Sequence, residues 1–275
     1  MATLLCFGLG YSAEHFVGMF GDGFERIVGT VRGTEHAAVL NARFRGRLKA
    51  FAFDGTFATP EIKSAIGEAD VALVSIPQTA KGDPVLAAFG EALAQASGLR
   101  SIVYLSTVGV YGDRGGAWVA EETTPQPDSE RGRERLAVEH AWQKFGRRSG
   151  VAVAILRLAG IYGPGRNALV QIARGDVRRI VKPGQVFNRI HVADIAQATD
   201  AAFARKAAGI PAKSSSPSAT STARPQRQAQ TRAWRHAPLS DVPRGFTGAQ
   251  CKLGPLRKRS RSLDFTRSSM VSPSR

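Results

Sequence analysis

Cysteine is nearly absent: two in 275 residues, Cys6 inside an apolar run and Cys251 in a polar stretch. Neither a disulfide framework nor a zinc or iron–sulfur spacing can be built from them, so a reducing, cytoplasmic setting is expected. The five histidines, His15, His36, His140, His191 and His236, show no metal-ligand spacing. Long apolar runs are missing too. None approaches the roughly 20 residues of a membrane helix, and the N-terminal run lacks a basic lead and breaks at Gly8, so no membrane partner is expected. Acidic residues are scarce, 22 against 38 Lys and Arg, but unevenly so. Residues 211–275 hold 13 basic and 2 acidic side chains and carry +11 of the net +16, which leaves residues 1–210 only mildly basic at +5. The high charge therefore does not mark the globular part as a nucleic-acid binder.

What the chain does have begins at its N-terminus, where Leu4-Leu5-Cys6-Phe7 runs into Gly8-Leu9-Gly10-Tyr11-Ser12-Ala13. A buried parallel strand that stops at a tight turn favours a residue without Cβ, which Gly8 supplies. Gly10 leaves room for a pyrophosphate, and Ala13 is small enough for the next helix to pack on the strand. The unpaired N–H groups and positive dipole end of that helix, from Tyr11 and Ser12 onward, would face the phosphates. Glycine pairs recur in ordinary turns. Here a strand precedes, a helix follows, and a second strand, residues 26–31, comes at the expected distance, which points to a dinucleotide cofactor.

Six strand-like runs, residues 3–7, 26–31, 48–53, 71–76, 101–106 and 151–158, alternate with helical patterns. That alternation predicts an α/β fold, a doubly wound parallel Rossmann sheet with helices on both faces. In the predicted helix 129–148, Val138, Ala141, Trp142 and Phe145 recur at helical spacing and make one buried face. Trp142 and Phe145 read as core or as a subunit interface. A second helix, 84–97, opens on Pro84 and carries Leu86, Phe89, Leu93 and Ala94 on one side.

Such sheets bind ligands at the carboxyl ends of their strands. Arg32, closing the second strand, stands about twenty residues beyond the glycines, where an acidic residue would hold the ribose of NAD and an arginine the 2′-phosphate of NADP. An exposed turn arginine is the alternative; position and charge favour NADP, with NAD also accommodated. Asp54, after the third strand, would accept from the adenine amino group or simply form a turn before Gly55. Ile76-Pro77 gives a stiff exit from the fourth strand near the cofactor's middle, or merely ends that strand.

The fifth strand ends in Ser106-Thr107-Val108-Gly109-Val110-Tyr111-Gly112, placing hydroxyls where a nicotinamide and a substrate oxygen would meet. With the N-terminal fingerprint this resembles the extended short-chain dehydrogenase/reductase superfamily of nucleotide-sugar epimerases and dehydratases. Two further segments strengthen the resemblance. Leu156-Arg157-Leu158-Ala159-Gly160-Ile161-Tyr162-Gly163-Pro164-Gly165-Arg166 matches the family's Tyr-Gly-Pro-Gly stretch, and Asn188-Arg189-Ile190-His191-Val192-Ala193-Asp194 its Ile-His-Val-x-Asp stretch. The four motifs stand in order within about residues 1–210. The resemblance implies that Thr107 assists catalysis with Ser106 beside it, that Arg189 holds a substrate diphosphate, and that the chain pairs with a copy of itself.

It also implies a Tyr-x-x-x-Lys pair at the start of the predicted helix 129–148, and there the chain departs: Arg131 stands in the tyrosine position and Arg135 in the lysine position. An arginine does not act as a general base near neutral pH, its pKa exceeding about 12. Arg135 would still donate to the nicotinamide ribose, and Arg131, Arg133 and Arg135 together would greet an acidic substrate or form a solvated first turn. This is the pattern of the superfamily's atypical branch. Tyr111 and Tyr162 remain as stand-in acids, though both fit more simply as packing residues; Asp194 is expected to cap the helix that follows it, with His191 supporting the corner.

After residue 210 the text changes. Residues 211–275 contain seven prolines, twelve serines and almost no apolar periodicity, and read as a disordered basic tail where relatives build a small substrate lobe. A reading-frame shift near Ile210 would produce such a tail; a genuine tail binding nucleic acid or an acidic membrane through Arg257-Lys258-Arg259-Ser260-Arg261 is the weaker reading. The leading expectation is an NADP-preferring protein of the atypical type acting on a small polar, nucleotide-linked substrate. The second is a cofactor-binding sensor or scaffold that does not turn over, or an inactive truncated product.

Overall fold

The computed structural model describes residues 2–44, 46–56, 59–175 and 186–207. Six strands, β1 (Ala2–Phe7), β2 (Phe24–Val31), β3 (Leu48–Ala52), β4 (Val71–Val74), β5 (Ser101–Thr107) and β6 (Ala152–Leu158), form one sheet in the order β3-β2-β1-β4-β5-β6, with every pairing parallel. This is the expected doubly wound arrangement. The strand order reverses between β1 and β4, which run side by side from Leu4 opposite Val71 to Phe7 opposite Val74. All of β4 and the first six residues of β5 are buried, as in a sheet covered on both faces, which is why these strands appear as unbroken apolar runs. β4 stops at Val74, two residues earlier than expected. Ser75 N–H still reaches Phe7 O, but Pro77 has no N–H to continue a ladder.

Two helical layers sandwich the sheet. On one face, α1 (Tyr11–Phe20), α2 (Thr34–Phe44) and α7 (Val192–Ala207) contribute Phe16, Leu40, Ile195 and Phe203 to a core shared with Leu4, Cys6, Val103 and Leu105. On the other, α3 (Pro60–Gly67), α4 (Pro84–Gln95) and α5 (Glu130–Ser149) pack Ile62, Phe89, Trp142 and Phe145 on Leu5, Phe7, Ile102 and Tyr104. Burying a large side chain of this kind is worth about 1.5–3 kcal/mol each. The buried face of α4 is Val85, Phe89 and Leu93, a turn apart, whereas Ala94 is exposed and Leu86 half-buried. Ala141 likewise faces solvent. Trp142 is 0% exposed within the single chain and meets Phe145 edge-on at 5.6 Å, so both belong to the core and not to a subunit seam.

A short parallel pair, β7 (Gly160–Tyr162) and β8 (Arg189–His191), stands apart from the sheet, with α6 (Ala168–Ala173) between them in sequence. β8 leads directly into α7, which packs on α1. The boundary at residue 210 and the tail 211–275, with Cys251 and His236, lie outside the described residues. No helix among the described residues is long and apolar enough to cross a membrane.

One buried carboxylate joins α4 to α5. Asp83 Oδ1 caps α4 by accepting from Val85 N and Leu86 N, both at 2.9 Å, while Oδ2 accepts from Trp142 Nε1 at 3.2 Å. Burial raises the Asp83 pKa, against the pull of these donors. Asp83→Ala removes the cap and strands the indole N–H, and is expected to cost about 2–4 kcal/mol in urea unfolding. Asp83→Asn keeps one acceptor for the cap but opposes the indole with an amide N–H, and should cost about half as much.

Candidate functional site

Where the strand order reverses, the turn after β1 is built on three backbone contacts. Gly8 N donates to Thr30 Oγ1 at 3.0 Å, Leu9 N donates to Thr30 O at 2.7 Å, and Ser75 Oγ donates to Gly8 O at 2.6 Å. Gly8 sits at φ 93°, and a Cβ there would come within 2.9 Å of Ile76 Cγ1 and 3.0 Å of Ser75 Oγ. Both the conformation and the packing require glycine. Gly10 is different: it has an ordinary extended φ of −101°, and nothing lies within 4 Å of where its Cβ would be. It precedes α1 without a side-chain cap, so the first-turn N–H groups from Tyr11 and Ser12 onward lack a side-chain acceptor among the described residues. Ala13 is fully buried against the sheet.

Beside this turn opens a cavity of about 490 Å³. Its walls come from four strand ends: Gly8, Leu9 and Gly10 after β1, Arg32 after β2, Asp54 after β3, and Ile76 and Pro77 after β4. Six of the residues singled out from the sequence, Gly8, Gly10, Arg32, Asp54, Ile76 and Pro77, are thus brought together. His36 of α2, Thr79 and Pro84 also line it and were not anticipated; the signal available was that His36 and Thr79 each lie five residues beyond a strand end, whereas Pro84 opens α4. Asp54 Oδ1 accepts from Thr56 N and Thr56 Oγ1, as a turn-forming Asp does. An open approach at Gly10, an uncapped helix start and a cation at the far wall suit a dinucleotide, so the residues present fit that group.

The end of β5 is organised by a second set of contacts. Thr107 closes the strand half-buried, and its Oγ1 accepts from Gly109 N at 3.1 Å, which leaves the hydroxyl proton able to donate. Ser106 points to the opposite face, where its hydroxyl donates to Glu139 of α5. Glu139 is 0% exposed and pairs with Arg157 of β6 through Nη2 at 2.7 Å; Arg157 Nη1 reaches Tyr111 Oη at 2.8 Å. A buried carboxylate survives only with such partners. Nothing in the helical pattern of α5 announced it. Arg135 is also committed: Nη1 donates to Tyr104 Oη at 2.7 Å and approaches Leu105 O at 3.4 Å. Burial pushes the Tyr104 hydroxyl up to about 12, so it keeps its proton despite Arg135. Arg135 Nε and Gln78 Oε1 are buried without a hydrogen-bond partner among the described residues.

The third region is the β7–β8 corner. Tyr11 Oη donates to Pro164 O at 3.0 Å, joining the start of α1 to this corner. α7 begins at Val192, which places Asp194 in its first turn; the cap expected of Asp194 comes instead from His191, whose Nδ1 accepts from Ala193 N at 3.2 Å. Tyr162 meets the His191 ring edge-on at 5.1 Å, and burial raises the pKa of its hydroxyl, as does the Asp194 charge. Burial, and secondarily the His191 charge, lowers the pKa of His15. Arg189 is exposed, with its guanidinium over the Phe187 ring at 5.4 Å. Thr107, Ser106, Arg135 and Arg189 do not line the cavity with the glycines.

A family model described as the NAD dependent epimerase/dehydratase family matches residues 87–214. A conserved protein of unknown function from Silicibacter pomeroyi is 39% identical, with a TM-score of 0.63 over 75% of this chain and 69% of that one. UDP-glucuronic acid 4-epimerase from Bacillus cereus, in a complex with UDP-glucuronic acid and NAD, is similar in fold, at 19% identity and a TM-score of 0.58 over 73% of each chain. An uncharacterized protein, y4nG, from Sinorhizobium fredii is 34% identical over 113 residues, 39% of this chain; the match spans only 28% of that relative's length.

The two glycines of the turn are expected to behave differently in stability. Gly8→Ala puts an L-residue at positive φ against Ile76 and should cost about 1–3 kcal/mol. Gly10→Ala meets no atom and should leave the unfolding free energy, measured in urea, within about 0.5 kcal/mol of the parent.

Proposed function

Since the chain belongs to the NAD-dependent epimerase/dehydratase family, we propose that it binds a nicotinamide dinucleotide, preferring NADP, as an oxidoreductase-like protein acting on a small polar, nucleotide-linked substrate. The observation that carries this reading is the cavity at four strand ends. Gly8 and Gly10 would admit the pyrophosphate against the N–H groups of Tyr11 and Ser12, with Ala13 keeping α1 close. Arg32 would pair with a 2′-phosphate and Asp54 would accept from the adenine, while Ile76 and Pro77 would line the path toward β5. The nucleotide-linked substrate rests on the similar UDP-glucuronic acid epimerase fold; Arg189 is the cation that would hold its diphosphate.

The bound nicotinamide would supply hydride acceptance and return. The chain's own contribution at that end would be the Thr107 hydroxyl, whose oxygen is held by Gly109 N while its proton is free to donate to a substrate oxygen. Ser106 would act beneath it, fixing β5 through Glu139. In the positions of the family's tyrosine and lysine stand Arg131 and Arg135, and a guanidinium does not exchange a proton near neutral pH.

One observation favours a second reading, a non-catalytic NADP-binding sensor or scaffold: the Arg135 side chain is turned to Tyr104 and Leu105. Titration of the full chain with NADPH and NADH, read by nicotinamide fluorescence, tests the premise common to both. NADPH should bind about tenfold more tightly than NADH, and Gly10→Ala should weaken both; absence of binding refutes both readings. Turnover of UDP- and dTDP-linked sugars that falls about 100-fold in Thr107→Ala marks the enzyme. No turnover of any of them in the parent marks the sensor.

A further inference from the structure

The ribose wall of the cavity carries more than Arg32. His36, in the first turn of α2, lines the same space, and both side chains are exposed to solvent. Resting on the NADP reading above, we infer that His36 is a second specificity-determining residue for the 2′-phosphate, and that it makes the preference for NADP over NAD depend on pH. A phosphate oxygen accepts from a guanidinium and an imidazolium together, whereas the 2′-hydroxyl of NAD gains no net attraction from either charge. Arg32 supplies a charge that does not change. Histidine is the side chain whose charge ordinarily changes between pH 5 and 8.

The charged groups lining the cavity with His36 are Arg32 from the end of β2 and Asp54 from the end of β3; on α2 itself Glu35 precedes it. A bound phosphate dianion adds the largest nearby negative charge. Binding of the phosphate and protonation of His36 therefore support each other.

The phosphate's own second proton leaves near pH 6, which alters affinity whatever the protein does. The test therefore compares the parent chain with His36→Gln at each pH. The probes are adenosine 2′,5′-bisphosphate and 5′-AMP, each displacing NADPH as followed by nicotinamide fluorescence. At pH 6, His36→Gln should weaken the bisphosphate about fivefold, the effect should shrink to less than about twofold at pH 8.5, and 5′-AMP should change by less than about twofold throughout. His36→Arg should hold the bisphosphate at pH 8.5 more tightly than the parent does. Equal losses for the two probes, or a His36→Gln effect that is absent or independent of pH, would overturn the inference while leaving cofactor binding intact. If neither NADPH nor NADH binds the parent chain, the cofactor reading falls and this inference with it.

Discussion

The turn at Gly8 is the constraint on which the architecture depends. β1 is one of the two central strands, flanked by β2 on one side and β4 on the other, and its carboxyl end must avoid both neighbours as the chain leaves for α1. Thr30 from β2 and Ser75 following β4 clamp the Gly8 peptide from opposite sides, one accepting from its N–H and the other donating to its C=O. Those bonds hold the turn where the strand order reverses, and with it the gap between the connections that becomes the cavity. A side chain at Gly8 would press on Ile76 and close that gap. The glycine that this turn requires and the cavity beside it thus have one origin.

A different principle governs the ends of β5 and β6. There the interior holds charge: Glu139 fully buried against Arg157 and Ser106, and Arg135 against Tyr104. Such pairs seldom add stability over apolar packing of the same volume, but breaking one strands a buried charge at a cost of about 3–5 kcal/mol. Their effect is to fix register. Ser106 and Arg157 are direct neighbours across the β5–β6 ladder, and Glu139 ties both to α5. The backbone carrying Thr107 is therefore held from below on one face, while Thr107 itself emerges on the other.

Much of this was legible in the chain. Strands buried on both sides leave contiguous apolar runs, and the glycine turn, Arg32 and Asp54 all fall at strand ends, where position alone implies proximity. Boundaries were less legible: β4 ends at Val74 because, beyond Ser75, Pro77 has no N–H to continue the ladder. The helix faces were also read imperfectly. Ala94 and Ala141 are small enough to suit either core or solvent, so periodicity counted them as buried when they are exposed. Side-chain networks were hidden most deeply. Glu139 looks like any surface glutamate of a charged helix, since its partners are 18 and 33 residues away in sequence. Residue type favours Asp194 as the cap on α7; the helix starts three residues earlier than that cap requires, which gives the task to the His191 imidazole.

The two halves of the site are built on separate supports. The cavity at the β1–β4 reversal is enclosed by β1 to β4 and the segments that follow them, and none of its lining comes from α5 or β6. The β5 end is held by α5 and β6, with Gln78, which donates to Arg131 O, as the nearest bridge between the two. No residue of α5 takes part in the glycine clamp or lines the cavity. Arg131 and Arg135 lie in the half that can change independently. Arg135 Nε and Gln78 Oε1 are a buried donor and a buried acceptor without a hydrogen-bond partner among the described residues, and each carries a desolvation cost. The clamp shapes the cavity, and the contacts of Gln78 and Arg135 shape the end of β5.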